Sequence, residues 1–184
     1  MITSRIFDTI TVEEYLEAEQ DAEVRHEYVY GEIYVVAGAS VHHNLVTGNV
    51  FFVLRNASER SECRVYASDM KVRVDEEVFY YPDVLVSCQD ITDEYYENKP
   101  CVIVEVISKS TVRKDTQEKR LAYAGIDSVQ LYLLVDSRKR WVKSYRRIGN
   151  KWEERLHSEN DAIDIPCVDA RLTLEDIYKK TNLT

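Results

Sequence analysis

The stretch that decides the fold is Cys101-Val102-Ile103-Val104-Glu105-Val106-Ile107, an apolar run interrupted by one carboxylate. A strand that is apolar on both faces is typical of the centre of a sheet covered on both sides. Downstream, Asp115 and Glu118 have the N-cap and N3 spacing of a helix that we expect to end at Gly125. The apolar run 130–135 predicts the next buried strand, and the order strand, helix, strand predicts a right-handed parallel crossover.

The elements on either side predict a mixed sheet with helices on its faces. A capping box at Thr11–Glu14 predicts a first helix to about Glu19, and Ser40 can cap a second helix that continues through Leu54. Strand patterns follow at 25–37 with a turn near 30–31, at 63–74, 78–81 and 84–86, and as a hairpin at 141–145 and 151–156, before a short helix that starts near 173. We therefore predict an α/β fold in a single domain, 1–184.

The composition is that of an ordinary globular protein, with 184 residues of which 45% are hydrophobic and 31% charged. No run approaches the roughly 20 apolar residues that a membrane helix needs. The start, Met1–Arg5, lacks the apolar run of a secretory signal. These features favour a cytoplasmic protein with no membrane partner.

The four cysteines, at positions 63, 88, 101 and 167, are widely separated along the chain. They include no C-x-x-C pair and have no nearby histidine pair. Cys88 and Cys101 lie in or beside apolar runs, where a free cysteine behaves as a small buried hydrophobe. We therefore expect neither a zinc site nor a disulfide.

The charge balance is unfavourable for contact with nucleic acid. The formal net charge is -9, whereas affinity for phosphates comes largely from basic residues. A basic cluster does occur late in the chain, at Arg138–Arg140 with Lys143, Arg146 and Arg147. Charge patterning favours a solvated face of the predicted hairpin as its explanation.

The singular carboxylates are the main indication of chemistry. A lone Glu105 in a buried strand is costly unless it is paired or bound to a metal. Asp83 enters a second apolar strand, 84–86, and two acids on neighbouring core strands can converge on one hard cation such as Mg²⁺. Such an ion polarises a phosphate and lowers the pKa of an attacking water. A carboxylate that is paired with Arg or Lys in the core is the alternative, and the spacing leaves both open.

Three further residues are weaker candidates. Lys119, in the first turns of the crossover helix, could hold the attacking water or stabilise charge on the phosphate, although most helical lysines lie on the surface. Glu32 follows the predicted turn and could be an outer acid or an exposed hairpin carboxylate. His43, at the start of the second helix, could line the site or serve as a local hydrogen-bond partner.

These residues belong to an ordered set of motifs that resembles the Uma branch of the PD-(D/E)XK restriction-endonuclease-like superfamily. The motifs are 81–86 (Tyr-Pro-Asp-Val-Leu-Val), 104–111 (Val-Glu-Val-Ile-Ser-Lys-Ser-Thr), 115–119 with 123–125, 132–136, and upstream 27–32 and 40–44. The resemblance implies a restriction-endonuclease-like core with Asp83 and Glu105 as Mg²⁺ ligands and the Val106 carbonyl as a further ligand. The lysine of the superfamily stands two residues after the second acid, where this chain has Ile107, and Lys119 takes its role by analogy.

The function implied by the resemblance is hydrolysis of DNA phosphodiester bonds by water activated by Mg²⁺, with Mn²⁺ as a possible substitute. Asp83, Glu105 and Lys119 would be the catalytic residues, there would be no covalent intermediate, and a homodimer would be able to cut both strands. The net charge and the displaced lysine favour an alternative, a non-catalytic binding or regulatory module that keeps the fold. A hydrolase that acts on a small phosphate ester is a third interpretation.

Overall fold

The structure, a computed structural model, describes residues 9–36, 38–109 and 113–183. The predicted strand end at Ala37, the opening residues Met1–Arg5 and the motif residues Ser110 and Thr111 lie outside these ranges. The helical elements are α1 Val12–Gln20, α2 Val41–Ala57, a 3-10 turn Ser58–Arg60, a π-helical segment Lys114–Lys119, α3 Arg120–Ala124 and α4 Leu174–Ile177. The strands are β1 His26–Val29, β2 Glu32–Val35, β3 Arg64–Ala67, β4 Lys71–Asp75, β5 Val78–Tyr80, β6 Val84–Ser87, β7 Tyr96–Glu97, β8 Val102–Ile107, β9 Leu131–Asp136, β10 Val142–Ile148, β11 Lys151–His157, β12 Ala162–Ile165 and β13 Ala170–Thr173.

The largest sheet has six strands in the order β11-β10-β9-β8-β6-β3. Strand β8 lies inside it, parallel to β9 and antiparallel to β6. All six residues of β8 are buried, as the apolar run predicts. The parallel pairing of β8 with β9, on either side of the helical segment, confirms the predicted parallel crossover.

Helices cover both faces of this sheet. Val46, Val50 and Leu54 lie one helical turn apart on α2 and are fully buried in the core on one face. Tyr123 of α3 packs on the opposite face with the aliphatic residues of β6 and β8 that point there. Helix α2 begins as predicted, because the Ser40 side chain accepts a hydrogen bond from the backbone N–H of His43. Within the described ranges, no helix is both long and apolar enough to cross a membrane.

A second sheet has five strands in the order β2-β1-β5-β4-β7. Strands β1 and β2 form the predicted hairpin, in which Gly31 adopts a φ of +89°. The single strand predicted from Cys63 to Val74 is wrong, because β3 belongs to the six-stranded sheet and β4 to the five-stranded one. The chain bends between them at Ser68, which has a φ of +56° and donates its N–H to the Asp83 carbonyl at 3.0 Å.

The crossover helix begins differently from the prediction. The chain is already helical at Arg113, and Asp115 lies inside the π-helical segment rather than at a cap. Its side chain is buried and faces Lys119, with 3.5 Å between Oδ1 and Nζ. The Asp115 carboxylate, which the sequence pattern assigned to the N-cap, therefore forms an ion pair in the interior instead. The helix ends at Gly125, as predicted.

The C-terminal part of the chain contains one hairpin that was not predicted. Strands β10 and β11 pair across a turn at Gly149, and α4 starts at the predicted place, where Thr173 and Asp176 form a capping box. The additional hairpin is β12–β13, which packs Ile163 and Leu172 into the core on the α2 side of the sheet. Its strands have four residues each, too short for the alternating pattern to stand out in the sequence.

The expectation for the cysteines is wrong. Cys63 is bonded to Cys88 and Cys101 to Cys167, so none of the four is free. Cys63 and Cys88 lie one step beyond the β3–β6 ladder, which ends at the pair Arg64↔Ser87. Strand pairing therefore brings together residues whose separation along the chain gave no indication of contact.

Candidate active site

The pairing of β6 with β8 brings Asp83 and Glu105 together. The ladder includes Val84↔Val104, so Asp83 and Glu105 face each other one step beyond it. Glu105 is buried in the middle of β8, whereas the side chain of Asp83, before the first residue of β6, is 17% exposed. The two acids therefore lie where the interior of the sheet meets its surface.

Both carboxylate oxygens of Asp83 are held in place. Oδ1 lies 2.6 Å from Nε2 of His43, and Oδ2 accepts the backbone N–H of Val106 at 2.7 Å. Burial lowers the pKa of His43, but the hydrogen bond and the charge of Asp83 outweigh it and hold that pKa above its ordinary value. The pair is therefore an aspartate oriented by a histidine that is readily protonated.

The Val106 backbone faces the same side as Asp83. The carbonyl of Ile107 accepts the N–H of Ser137, which follows β9. Successive carbonyls of a strand point to opposite sides, so the Val106 carbonyl points away from β9. Asp83 lies on that same side, because its Oδ2 accepts the Val106 N–H. A carboxylate and a carbonyl oxygen are thus available at one place.

Lys119 is the centre of a buried ion cluster. Its Nζ lies 3.0 Å from Oε1 of Glu105, 2.8 Å from Oε1 of Glu27 and 3.5 Å from Oδ1 of Asp115. All four side chains belong to residues that are only 3–6% exposed. Tyr123 adds a hydrogen bond from its hydroxyl to the same Glu105 oxygen at 3.0 Å. Burial of a charge is tolerated when it is paired and hydrogen-bonded in this way.

The electrostatics of the cluster follow from burial and charge. Burial raises the pKa of Glu105 well above its ordinary value, opposed by Lys119 but reinforced by the neighbouring carboxylates. Burial lowers the pKa of Lys119, but the three carboxylates more than compensate and hold it well above the ordinary value. Burial also raises the pKa of Glu27, yet Lys119 and Lys114 outweigh it and leave that pKa lowered. Lys119 is therefore a permanent ammonium at neutral pH.

Sequence reasoning missed two acids of this cluster, Glu27 and Asp115. Glu27 lies on β1 and also receives Lys114, whose Nζ is 2.6 Å from Oε2. Its signal was weak, because β1 has only four residues and its two central residues are both buried. Glu32, which the sequence did single out, is exposed on β2 and bonds to Tyr34 in the same strand. The structure therefore brings Asp83, Glu105, Lys119, Val106 and His43 together but not Glu32.

Carboxylates are the most numerous ionisable groups in the described contacts of the site. These contacts join four carboxylates to two lysines and one histidine. The oxygen donors near Asp83 and Glu105 are of the kind that hard divalent cations prefer. The residues present therefore fit a magnesium-type ion better than a soft metal.

The basic cluster late in the chain is engaged in local contacts. Arg138 makes a bidentate contact with Asp136, and Lys143 lies 2.6 Å from Glu154 on the paired strand. Arg147 donates to three backbone carbonyls at the end of α3 and just beyond it. These contacts agree with a structural and solvated role of the cluster.

A mixed sheet with covering helices and an acid–acid–lysine site defines a restriction-endonuclease-like domain. The chain belongs to the Uma2 family, described as "Putative restriction endonuclease", whose model matches residues 12–175. This confirms the resemblance drawn from the motifs.

Two uncharacterized proteins and one solved structure are similar to this chain. The uncharacterized protein sll1609 of Synechocystis sp. is 33% identical over 147 residues, which cover 77% of this chain and 83% of that protein. A second protein of that organism, slr1290, is 28% identical over 177 residues, which cover 94% and 93%. The fold is similar to a crystal structure of "a putative nuclease belonging to DUF820" from Anabaena variabilis ATCC 29413, with a TM-score of 0.77, 17% identity and coverage of 92% of this chain and 97% of that one.

Proposed function

We propose that this protein is a magnesium-dependent endonuclease that hydrolyses DNA phosphodiester bonds. The observation that carries the proposal is the contact of Lys119 Nζ with Glu105 at 3.0 Å, beside an Asp83 that faces Glu105 across the strand pair. An acid pair and a lysine in this arrangement are the elements that the family resemblance implies. Membership of the Uma2 family supports the same class of reaction.

Asp83, Glu105 and the Val106 carbonyl would hold Mg²⁺, or Mn²⁺ in its place. Such an ion supplies Lewis acidity, which polarises the phosphate and lowers the pKa of a bound water. The N–H of Val106 and the ring of His43 keep Asp83 oriented toward this position. His43 is therefore a positioning residue in this proposal.

Lys119 would orient the attacking water and stabilise charge that develops on the phosphate. Because its pKa is held above the ordinary value, it acts as a cation and hydrogen-bond donor rather than as a base. The π-helical segment, a feature frequent at functional sites, ends at Lys119 and directs it to the acids. The lysine thus reaches the site from the helix although position 107 is isoleucine.

A non-catalytic binding or regulatory module is the second candidate. The net charge of -9 favours it, because affinity for DNA phosphates comes largely from basic residues. The ion pairs of Arg138, Arg140 and Lys143 with neighbouring acids favour it as well, since these side chains are then less available to phosphates. Cleavage assays separate the two candidates.

The test is cleavage of supercoiled plasmid and single-stranded DNA with Mg²⁺ or Mn²⁺. We expect Asp83→Asn and Lys119→Gln to reduce the rate by about 10²–10³-fold, the cost of removing one preorganised electrostatic group. Glu32→Gln is the matched control, since this exposed acid lies outside the cluster and the variant should cleave like the wild type. Cleavage that persists in Asp83→Asn at the wild-type rate would show contamination and exclude the catalytic assignment.

Metal binding is tested independently by thermal unfolding. A cation that binds the folded protein at 100 times its Kd stabilises it by about 2.7 kcal/mol. We expect Mg²⁺ to raise the Tm of the wild type but not of the Asp83→Asn/Glu105→Gln double variant. Stabilisation without cleavage would favour the binding module.

A further inference from the structure

Four cysteines from four separate segments meet at one end of the six-stranded sheet. Cys63 immediately precedes β3, Cys88 follows β6, Cys101 precedes β8, and Cys167 lies in the turn between β12 and β13. They form the disulfides Cys63–Cys88 and Cys101–Cys167. The two disulfides touch each other, because Sγ of Cys88 lies 4.0 Å from Sγ of Cys101.

This four-cysteine centre is separate from the acid site. Strands β6 and β8 carry Asp83 and Glu105 at one end of their pairing and Cys88 and Cys101 at the other. Five residues of extended chain from Asp83 to Cys88 span about 16 Å. The centre therefore belongs neither to the family's acid–lysine constellation nor to the function proposed above.

We propose that the four-cysteine centre, once reduced, is a zinc site in which Cys63, Cys88, Cys101 and Cys167 bind one Zn²⁺ tetrahedrally. Thiolates are the ligands of structural zinc, and a Zn–S bond of about 2.3 Å places ligand sulfurs about 3.8 Å apart. The 4.0 Å contact between the two disulfides already has this spacing. The sulfurs of Cys88, Cys101 and Cys167 all lie within 4.8 Å of one another.

The surroundings of the sulfurs suit a closed structural site. Cys63 and Cys101 are buried and Cys88 is half-buried, whereas Cys167 is exposed and offers an entry side. Cys167 adopts a φ of +67°, which is uncommon for a residue with a side chain. This turn brings its carbonyl oxygen to 3.2 Å from the sulfur of Cys63, so the β12–β13 turn lies directly over the other cysteines.

Conversion of the disulfide-bonded centre into the zinc-bound centre requires a reductant. Two equivalents of a dithiol donate four electrons and four protons, both S–S bonds break, and four thiols and two oxidised dithiols result. Binding of Zn²⁺ to the four thiols then releases up to four protons to solvent. The same sulfurs cannot be disulfides and ligands at once, so oxidation expels the metal.

The test uses the full-length protein, reduced with excess dithiothreitol and freed of it anaerobically, with Co²⁺ as the probe. We expect one thiolate-bound Co²⁺ per chain, recognised by the visible bands of a tetrahedral ion and an ultraviolet thiolate-to-cobalt band, both abolished by equimolar Zn²⁺. Cys167→Ser, at the exposed ligand, should lose the charge-transfer intensity of one thiolate and bind Co²⁺ more weakly. Asp83→Asn/Glu105→Gln is the control and should retain the full spectrum.

Circular dichroism verifies that each reduced sample is folded, and Cys88→Ser provides a second ligand variant. A folded, reduced wild type that shows no thiolate-to-cobalt band would overturn the proposal and leave a pair of structural disulfides. Retention of the complete spectrum by both serine variants would overturn it as well. Because none of these readouts involves DNA cleavage, the outcome is independent of the proposed nuclease activity.

Discussion

Replacement of Lys119 by methionine tests the buried ion cluster most directly. Methionine keeps the length and packing of the side chain but removes the ammonium that lies 2.8–3.5 Å from three carboxylates. Lys114 still contacts Glu27, so the loss falls mainly on Glu105, whose buried carboxylate no longer faces an ammonium. Removing one partner of a buried ion pair costs about 3–5 kcal/mol, and we expect a destabilisation of this size.

The measurement is thermal unfolding followed by circular dichroism over a range of pH. For a chain of this length, about 3–5 kcal/mol corresponds to a Tm lowered by about 6–20 °C. The pKa of Glu105 is already raised, and it rises further when Lys119 is absent. Protonation of Glu105 therefore stabilises the folded variant. That stability is fully present below the unfolded pKa of about 4.3 and is lost as pH rises through the folded pKa. The difference from the wild type should therefore be smallest in acid and grow toward neutral pH.

Two controls make the result interpretable. Lys151→Met removes an exposed lysine from β11 and should change the stability by no more than about 0.5 kcal/mol. Glu105→Gln in the Lys119→Met background removes one uncompensated charge and should restore part of the loss. A Tm that falls by less than about 2 °C at every pH would refute the view that Lys119 is the counter-charge of buried carboxylates.

Three further predictions concern the stability of the fold. His43→Gln should lower the Tm most below about pH 6.5 and progressively less as pH rises through the folded pKa, because the raised pKa of His43 means that the charged pair with Asp83 stabilises the fold on the acid side; a pH-independent penalty would contradict this. Tyr123→Phe should lower the free energy of unfolding by about 1.5–3 kcal/mol in urea titrations, since it removes a donor to a buried carboxylate, and an unchanged midpoint would refute the contact. Gly31→Ala should destabilise the fold by about 1 kcal/mol or more, because φ is +89° and the new Cβ would lie 2.8 Å from the Cβ of Thr9. Gly48→Ala, at an open helical position, should stabilise the fold by about 0.5–1 kcal/mol. Changes of the same sign in both variants would count against this reasoning.

Local patterns predicted much of the fold because the relevant signals are local. The capping boxes at Thr11 and Thr173 and the cap at Ser40 start helices where the sequence places them. The unbroken apolar run around Glu105 identified an interior strand of the main sheet. These signals depend on residues that are close together in the sequence, and the structure contains the caps and the strand that they predict.

The partners of the site residues depend on long-range pairing and were only partly predictable. Glu27, on the β1–β2 hairpin, and Lys119 are 92 positions apart along the chain, yet their side chains are in contact. Asp115 has the spacing of a cap, yet it lies inside the helical segment and is buried beside Lys119. Cys63, Cys88 and Cys101 meet because β3, β6 and β8 are neighbours, and Cys167 joins them from the β12–β13 turn, which no local spacing reveals.

The position of Lys119 has a consequence for the order in which the protein assembles. Many small domains held together by a metal remain unfolded without the ion, because the free energy of metal binding supplies their free energy of folding. Here the ammonium of Lys119 already neutralises part of the carboxylate charge, so the chain can complete its core before any divalent cation binds. Chelators should therefore leave the fold of the disulfide-bonded protein intact, and the proposed Mg²⁺ would bind to a scaffold that is already complete.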